Sequence, residues 1–322
     1  MTTIALPAYA YEQELPELLD RLGAGDAADE IAVDFLPVTF WTPGALVLLL
    51  AKTQFWRKQN KRVVFHNCKE CPAFRYFQRI NFYSLCGLQL PEDFQRHDAG
   101  SRFVEIRRIG GEGSASVGEL STDIAYCISP DSHVDDPEQS GVFDLLEYSV
   151  SELANNVIQH AKAPGFAMAQ YMPRTDLVRV AIADHGIGVL RSFADNGSPL
   201  CKPDWTDADA IATALQPKVS SKSHLPSPWG ESVNAGVGLT LLKELCTQTG
   251  GHFFLASGKG VFSELAGREF PQQKTLTTPF QGTICVLTFV RSKIRNFPEM
   301  MHQVKTAVGL LPNGKEFGNF FS

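Results

Sequence analysis

The chain has 322 residues, and at ~150 residues per domain that length predicts two domains. Its 29 Lys+Arg against 35 Asp+Glu leave a net charge of −6, which argues against a broad attraction to nucleic acid or to an anionic membrane surface. With 44% hydrophobic and 20% charged residues, the composition is globular rather than disordered or fibrous. The apolar run Ala45–Ala51 is far short of the ~20 residues a membrane span needs. No basic segment followed by a long apolar one opens the chain, so no secretory signal is read. Seven cysteines, an odd number, do not look like a disulfide framework, and a reduced cytoplasmic setting is expected.

Over residues 1–95, short apolar strands alternate with helical stretches. Glu30–Phe35 reads as a buried strand. Thr42-Pro43-Gly44 ends it and opens a helix, where Pro suits the first position. Leu46, Leu49, Leu50, Thr53 and Phe55/Trp56 then form a helical stripe as far as Gln59. Lys61–His66 is a second strand, and Phe74, Phe77 and Ile80 share one face of a following helix. Strands separated by helices imply a mostly parallel sheet with helical cover, an α/β class. Cys68 and Cys71 have the spacing of half a zinc site, but no second pair follows, and buried or incidental thiols are the expectation.

Val33-Asp34-Phe35 through Val38-Thr39-Phe40, the Pro43-Gly44 helix start and Lys61-Arg62-Val63-Val64 together resemble a STAS domain, the fold of anti-sigma-factor antagonists. Phosphorylated members carry Asp-Ser-Ser-Gly at that helix start. Here the run is Trp41-Thr42-Pro43-Gly44, without serine, and Thr42 is expected to act as an N-cap rather than a phosphate acceptor.

A polar stretch at 89–100 is the predicted boundary, with residues 96–295 the second domain and 296–322 a C-terminal tail. Residues 95–140 read as loop, including His133. In the helix Phe143–His160, Leu146, Val150, Leu153, Val157 and Ala161 form one apolar face. Glu152, Asn156 and His160, four apart, line an adjacent one. A carboxylate one turn before a carboxamide can set a polarised water beside a hard cation, although such a triplet by itself is more often a solvated stripe.

The strand Leu177–Ala183 runs into Asp184-His-Gly186-Ile-Gly188. Bare backbone there would let a planar ligand lie close, and the aspartate could accept from an exocyclic amine; the same letters are also ordinary turn chemistry. Asn234-Ala-Gly236-Val-Gly238 opens an amphipathic helix whose first amides suit phosphate. The Ser-, Pro- and Lys-rich stretch 217–233 between them is expected to be a lid or a binding loop. His252–Ala256 and Gly282–Phe289 supply two further strands.

Taken in order, Glu-x-x-x-Asn, Asp-x-Gly-x-Gly, Gly-x-Gly-Leu and Gly-Thr resemble the GHKL superfamily, which includes gyrase B, MutL, histidine-kinase catalytic domains and anti-sigma-factor kinases. The resemblance covers residues 140–290 and implies a Bergerat-type α/β sandwich that binds ATP and Mg²⁺. Carried over motif by motif, Asp184 would bind the adenine amine, with Gly186 and Gly188 admitting the base and Thr283 beside it. Asn156 would coordinate Mg²⁺ and Glu152 would activate water. Gly236 and Gly238 would touch the phosphates, Asn155 could support the metal ligand, and Lys218 and Lys222 could neutralise the γ-phosphate.

No P-loop or Gly-x-Ser-x-Gly motif occurs. Three readings follow. The first is a slow regulatory ATPase whose lid closure switches a protein partner, as a monomer or a homodimer; the second is a Ser/Thr protein kinase of the anti-sigma type; the third is a non-enzymatic ATP-gated module.

Overall fold

The computed structural model describes residues 1–111, 114–129, 137–221 and 236–311, with the backbone alone at 137–140. His133, Lys222, Asn234 and most of the expected lid therefore lie outside the described residues. The chain is mixed α/β. In order its elements are β1 (Thr2–Ala5), β2 (Tyr9–Ala10), α1 (Leu15–Gly23), β3 (Glu30–Asp34), β4 (Phe40–Trp41), α2 (Pro43–Lys58), β5 (Arg62–His66), α3 (Phe74–Arg79) and α4 (Phe82–Leu85). There follow β6 (Arg107–Ile109), α5 (Val117–Ile128), α6 (Pro137–Asn156), β7 (Gly165–Met172), β8 (Leu177–Asp184), α7 (Gly188–Asp195) and α8 (Asp207–Ala214). The last are α9 (Gly238–Gln248), β9 (His252–Leu265), β10 (Gln272–Val290) and α10 (Phe297–Ala307).

In the first region the strands pair in parallel, in the order β1-β3-β5, as alternating strands and helices predict. The second region forms a five-stranded sheet in the order β6-β7-β8-β10-β9, every neighbour antiparallel. Side chains along its strands alternate between two cores. Met168, Ala181, Ala183, Phe254, Ala256, Ile284 and Val286 face the N-terminal region. Ala167, Val180, Ile182, Leu255, Cys285 and Leu287 face the layer of α5, α6, α9 and α10.

The N-terminal core is thus shared with one face of the large sheet, and the polar stretch near residue 95 divides the chain but not that core. α2 packs against β5 and against β7, β8 and β10. This changes the expected stripe: Val47 and Leu48 are as buried as Leu46 and Leu49, because the helix has sheet on more than one side. Glu12 reaches the same face, accepting from Arg179 at 2.8 Å with both side chains buried. The β9–β10 hairpin extends past the sheet over α1, where Lys274 pairs with Glu17 at 2.6 Å and the Thr277 amide donates to Asp20 at 2.7 Å.

Three expectations need correction. Thr42 occupies the N-cap position of α2 without capping it; its fully buried hydroxyl instead donates to the Ala10 carbonyl at 3.2 Å. Residues 95–140 contain β6 and α5, the latter opened by a Ser116/Glu119 capping box that the glycines and serines around it obscured. The tail from 296 begins with α10, whose Met300 and Val304 are buried against the helical layer. Cys68 and Cys71 are buried thiols; Cys71 Sγ lies 3.7 Å from the Tyr83 hydroxyl, and burial pushes Cys68 up to about 12.

Candidate functional site

Asp184 ends β8 on the helical side of the sheet, continuing the alternation of Val180 and Ile182. It is 4% exposed. Its Oδ1 accepts from the Gly186 amide at 2.8 Å, and the backbone of Thr283 on neighbouring β10 lies close enough to lower its carboxyl slightly against the effect of burial. No cation pairs with it among the described residues, and burial raises its carboxyl to about 7. A buried carboxylate held only by backbone donors keeps lone pairs for a further donor.

The backbone round this carboxylate is tight. A Cβ on Gly186 would fall 2.0 Å from the Ala161 carbonyl, and one on Gly282 would fall 2.1 Å from that of Asp184. Only glycine allows both approaches, and the positive φ of +118° at Gly282 adds to that requirement. The next turn is fixed by Ser257 on β9, which accepts from the Val189 amide and donates to the Gly282 carbonyl, each at 2.9 Å. Gly188 and Thr283 are thereby drawn to the loop that carries Asp184.

The other end of the site is set by α6. The helix passes into a π-helical turn, Val157–Ala161, a form often found at functional positions. Its last carbonyl, Ala161, accepts from Ile187 at 2.9 Å and so ties the helix to the glycine loop. Nine residues before Ala161, about 13 Å at helical rise, Glu152 lies against the start of α9: a Cβ on Gly238 would sit 2.2 Å from Glu152 Oε2. Burial raises the Glu152 carboxyl, no ion pair among the described residues offsets it, and burial together with the Glu152 charge raises the neighbouring Tyr148 hydroxyl. The Asn156 amide, one turn on, has no hydrogen-bond partner among the described residues. Asn155 only leans on Ser151, at 3.5 Å.

Gly236 stands at the root of α9, its carbonyl accepting from Val219 at 3.0 Å. Lys218 is exposed with a left-handed backbone. His160 lies in a polar cluster that the sequence motifs do not include: Ser221 Oγ is 3.2 Å and Ser192 Oγ 3.4 Å from its Nδ1. Asn196 donates to Ser221 at 3.1 Å. This cluster joins α6, α7 and the chain just before residue 222.

The chain folding therefore brings together two pairs of expected residues, Asp184 with Thr283 and Glu152 with Gly238, and the π-turn of α6 spans between them. Sequence reading missed Ser257 and the Ser192/Ser221/Asn196 cluster. Ser257 is recognisable only through the register that sets it opposite Thr283. A groove of about 540 Å³ lies beside Gly188, lined by Arg191, Asp207, Ser257 and Gln281; it contains neither Asp184 nor Glu152. No family model matches this chain, and no curated protein matches it.

Proposed function

We propose that the chain binds ATP with magnesium between α6, the Asp184–Gly188 loop and the start of α9, as a regulatory ATPase of the GHKL kind. The reading treats the antiparallel sheet with its helical layer as a Bergerat-type sandwich and the small parallel sheet with α2 as STAS-like. The observation that carries it is Asp184: a buried, cation-free carboxylate, ringed by backbone that only glycine permits.

In this account the Asp184 carboxylate accepts the adenine amine, while Gly186 and Gly188 let the loop that carries it close against the Ala161 carbonyl and Ser257. Gly236 and Gly238 present the root and first turn of α9 to the phosphates. Asn156 suits magnesium because its unengaged amide oxygen is a hard donor. Bound there, magnesium would neutralise phosphate charge. Glu152, raised by burial and without a cationic partner, is suited to take a proton from attacking water. Because Thr42 is fully buried, transfer to this chain's own Thr42 has no support.

Calorimetry and γ-labelled ATP test the reading on the full chain. Asp184→Ala removes a charged acceptor, worth ~1.5–3 kcal/mol, so ATP affinity should fall roughly tenfold to over a hundredfold. Unchanged affinity removes Asp184 from the base site. Glu152→Ala should bind ATP and release no phosphate. Label appearing on a partner protein instead of as free phosphate would make the chain a kinase, and intact ATP would make it a silent binder.

A further inference from the structure

Asp184 and its neighbour His185 point to opposite sides of the sheet, as successive residues of a strand do. His185 faces α2. There a second hollow, about 240 Å³, is lined by Phe55, Lys58, Gln59, Lys162, His185 and Gln281, together with backbone of the glycine loop. Among the described residues no carboxylate lines it and Lys58 makes no ion pair, while Lys162 is paired with Asp195 at 2.9 Å. Arg108 stands close enough that its charge, with that of Lys58, adds to burial in disfavouring a protonated imidazole, which is held at about 4. His185 is 9% exposed, and its Nδ1 is buried with no hydrogen-bond partner.

Nδ1 is closed to the hollow, so a ligand there would meet the remaining edge of the His185 ring beside the Lys58 ammonium, with no carboxylate among the described lining residues to oppose an anion. The carbonyls at the end of α2 would repel an anion, but those of Phe55, Trp56 and Arg57 are already taken by the amides of Gln59, Asn60 and Lys61. We infer that this hollow is a binding site for a small oxyanion of the phosphate class, held by Lys58 and His185, with Arg108 adding to the positive field. The site is distinct from the nucleotide cradle, since neither Asp184, Glu152 nor Asn156 lines it, although Gly186 borders both. Its occupancy would bear directly on Asp184, one residue away.

The test uses the full chain and inorganic phosphate, exchanged for chloride at constant ionic strength and followed through histidine ring resonances. His185→Gln identifies the His185 signals by their loss. Phosphate should shift the His185 ring saturably, and Lys58→Glu, a change at an exposed position, should weaken that response roughly tenfold or more. Far-ultraviolet dichroism checks that the variant is folded. Should the His185 ring stay still, or respond equally in Lys58→Glu, the inference is wrong. It is equally wrong if His160 shifts and His185 does not, because phosphate would then be entering the nucleotide cradle.

Discussion

The two faces of the large sheet are built to opposite ends. Toward the N-terminal region, Ala181, Ala183, Phe254 and Val286 meet an α2 that is buried nearly all round, and the buried ion pair there, Arg179 with Glu12, is matched within the face. Toward the helical layer the same strands end in Asp184 and Thr283, and across from them Glu152 and Asn156 carry polar groups without partners among the described residues. A buried charge matched by a partner, as Arg179 is by Glu12, limits what its desolvation costs the fold. A face that leaves carboxylates buried and unpaired gives up stability, and such positions cluster at binding sites.

The sealed face offers the largest effect by which to break this contrast. Arg179→Met keeps the bulk but leaves Glu12 buried and uncompensated, a loss of about 3–5 kcal/mol measurable by urea unfolding. Adding Glu12→Gln should recover much of it. A loss near zero for the single variant would mean the pair is not buried in solution and the two regions are less tightly joined.

On the open face the sign reverses. Because burial lifts Asp184 from 3.8 to about 7, the folded chain keeps this proton where the unfolded chain has released it. Stability attributable to Asp184 therefore falls as pH rises from about 4 to 7 and stays low above that. Asp184→Asn lacks this loss, so its advantage over the parent should grow across that window to at most about 4 kcal/mol. Parallel stability curves for the two proteins would show that the carboxyl is not perturbed.

The smallest effect belongs to the hairpin over α1. Lys274 and Glu17 are both substantially exposed, so Lys274→Ala should cost under about 1 kcal/mol and less still at high salt. A larger loss would mean the hairpin is a main clasp of the N-terminal region rather than an accessory to its apolar core.

What sequence could and could not show divides along the same lines. Strand periodicity and glycine spacing depend on neighbours in the chain, so β3, β5, β8, α2 and the Asp184–Gly188 loop were legible. The sealing of one sheet face by α1 and α2 was not, because an all-round apolar helix reads as a stripe until its second neighbour is known. Glu152 and Asn156 could be read as a pair four residues apart, but the packing of Glu152 against Gly238 depends on how α6 and α9 cross. Ser257 needed the β9–β10 register, and α5 was concealed by the loop-like composition around its capping box. His185 looked like filler between two motif residues; its role depends on the strand alternation that turns it toward Lys58.

The sharpest test of the nucleotide account compares ATP with inosine triphosphate, which replaces the 6-amino group by a carbonyl, in calorimetric titrations with magnesium at pH 8. The parent chain should prefer ATP by roughly tenfold or more, since Asp184 would face an acceptor instead of a donor, and Asp184→Ala should bind the two about equally. Equal affinity in the parent, or a preference that survives the substitution, would contradict the assignment of this carboxylate to the adenine amine.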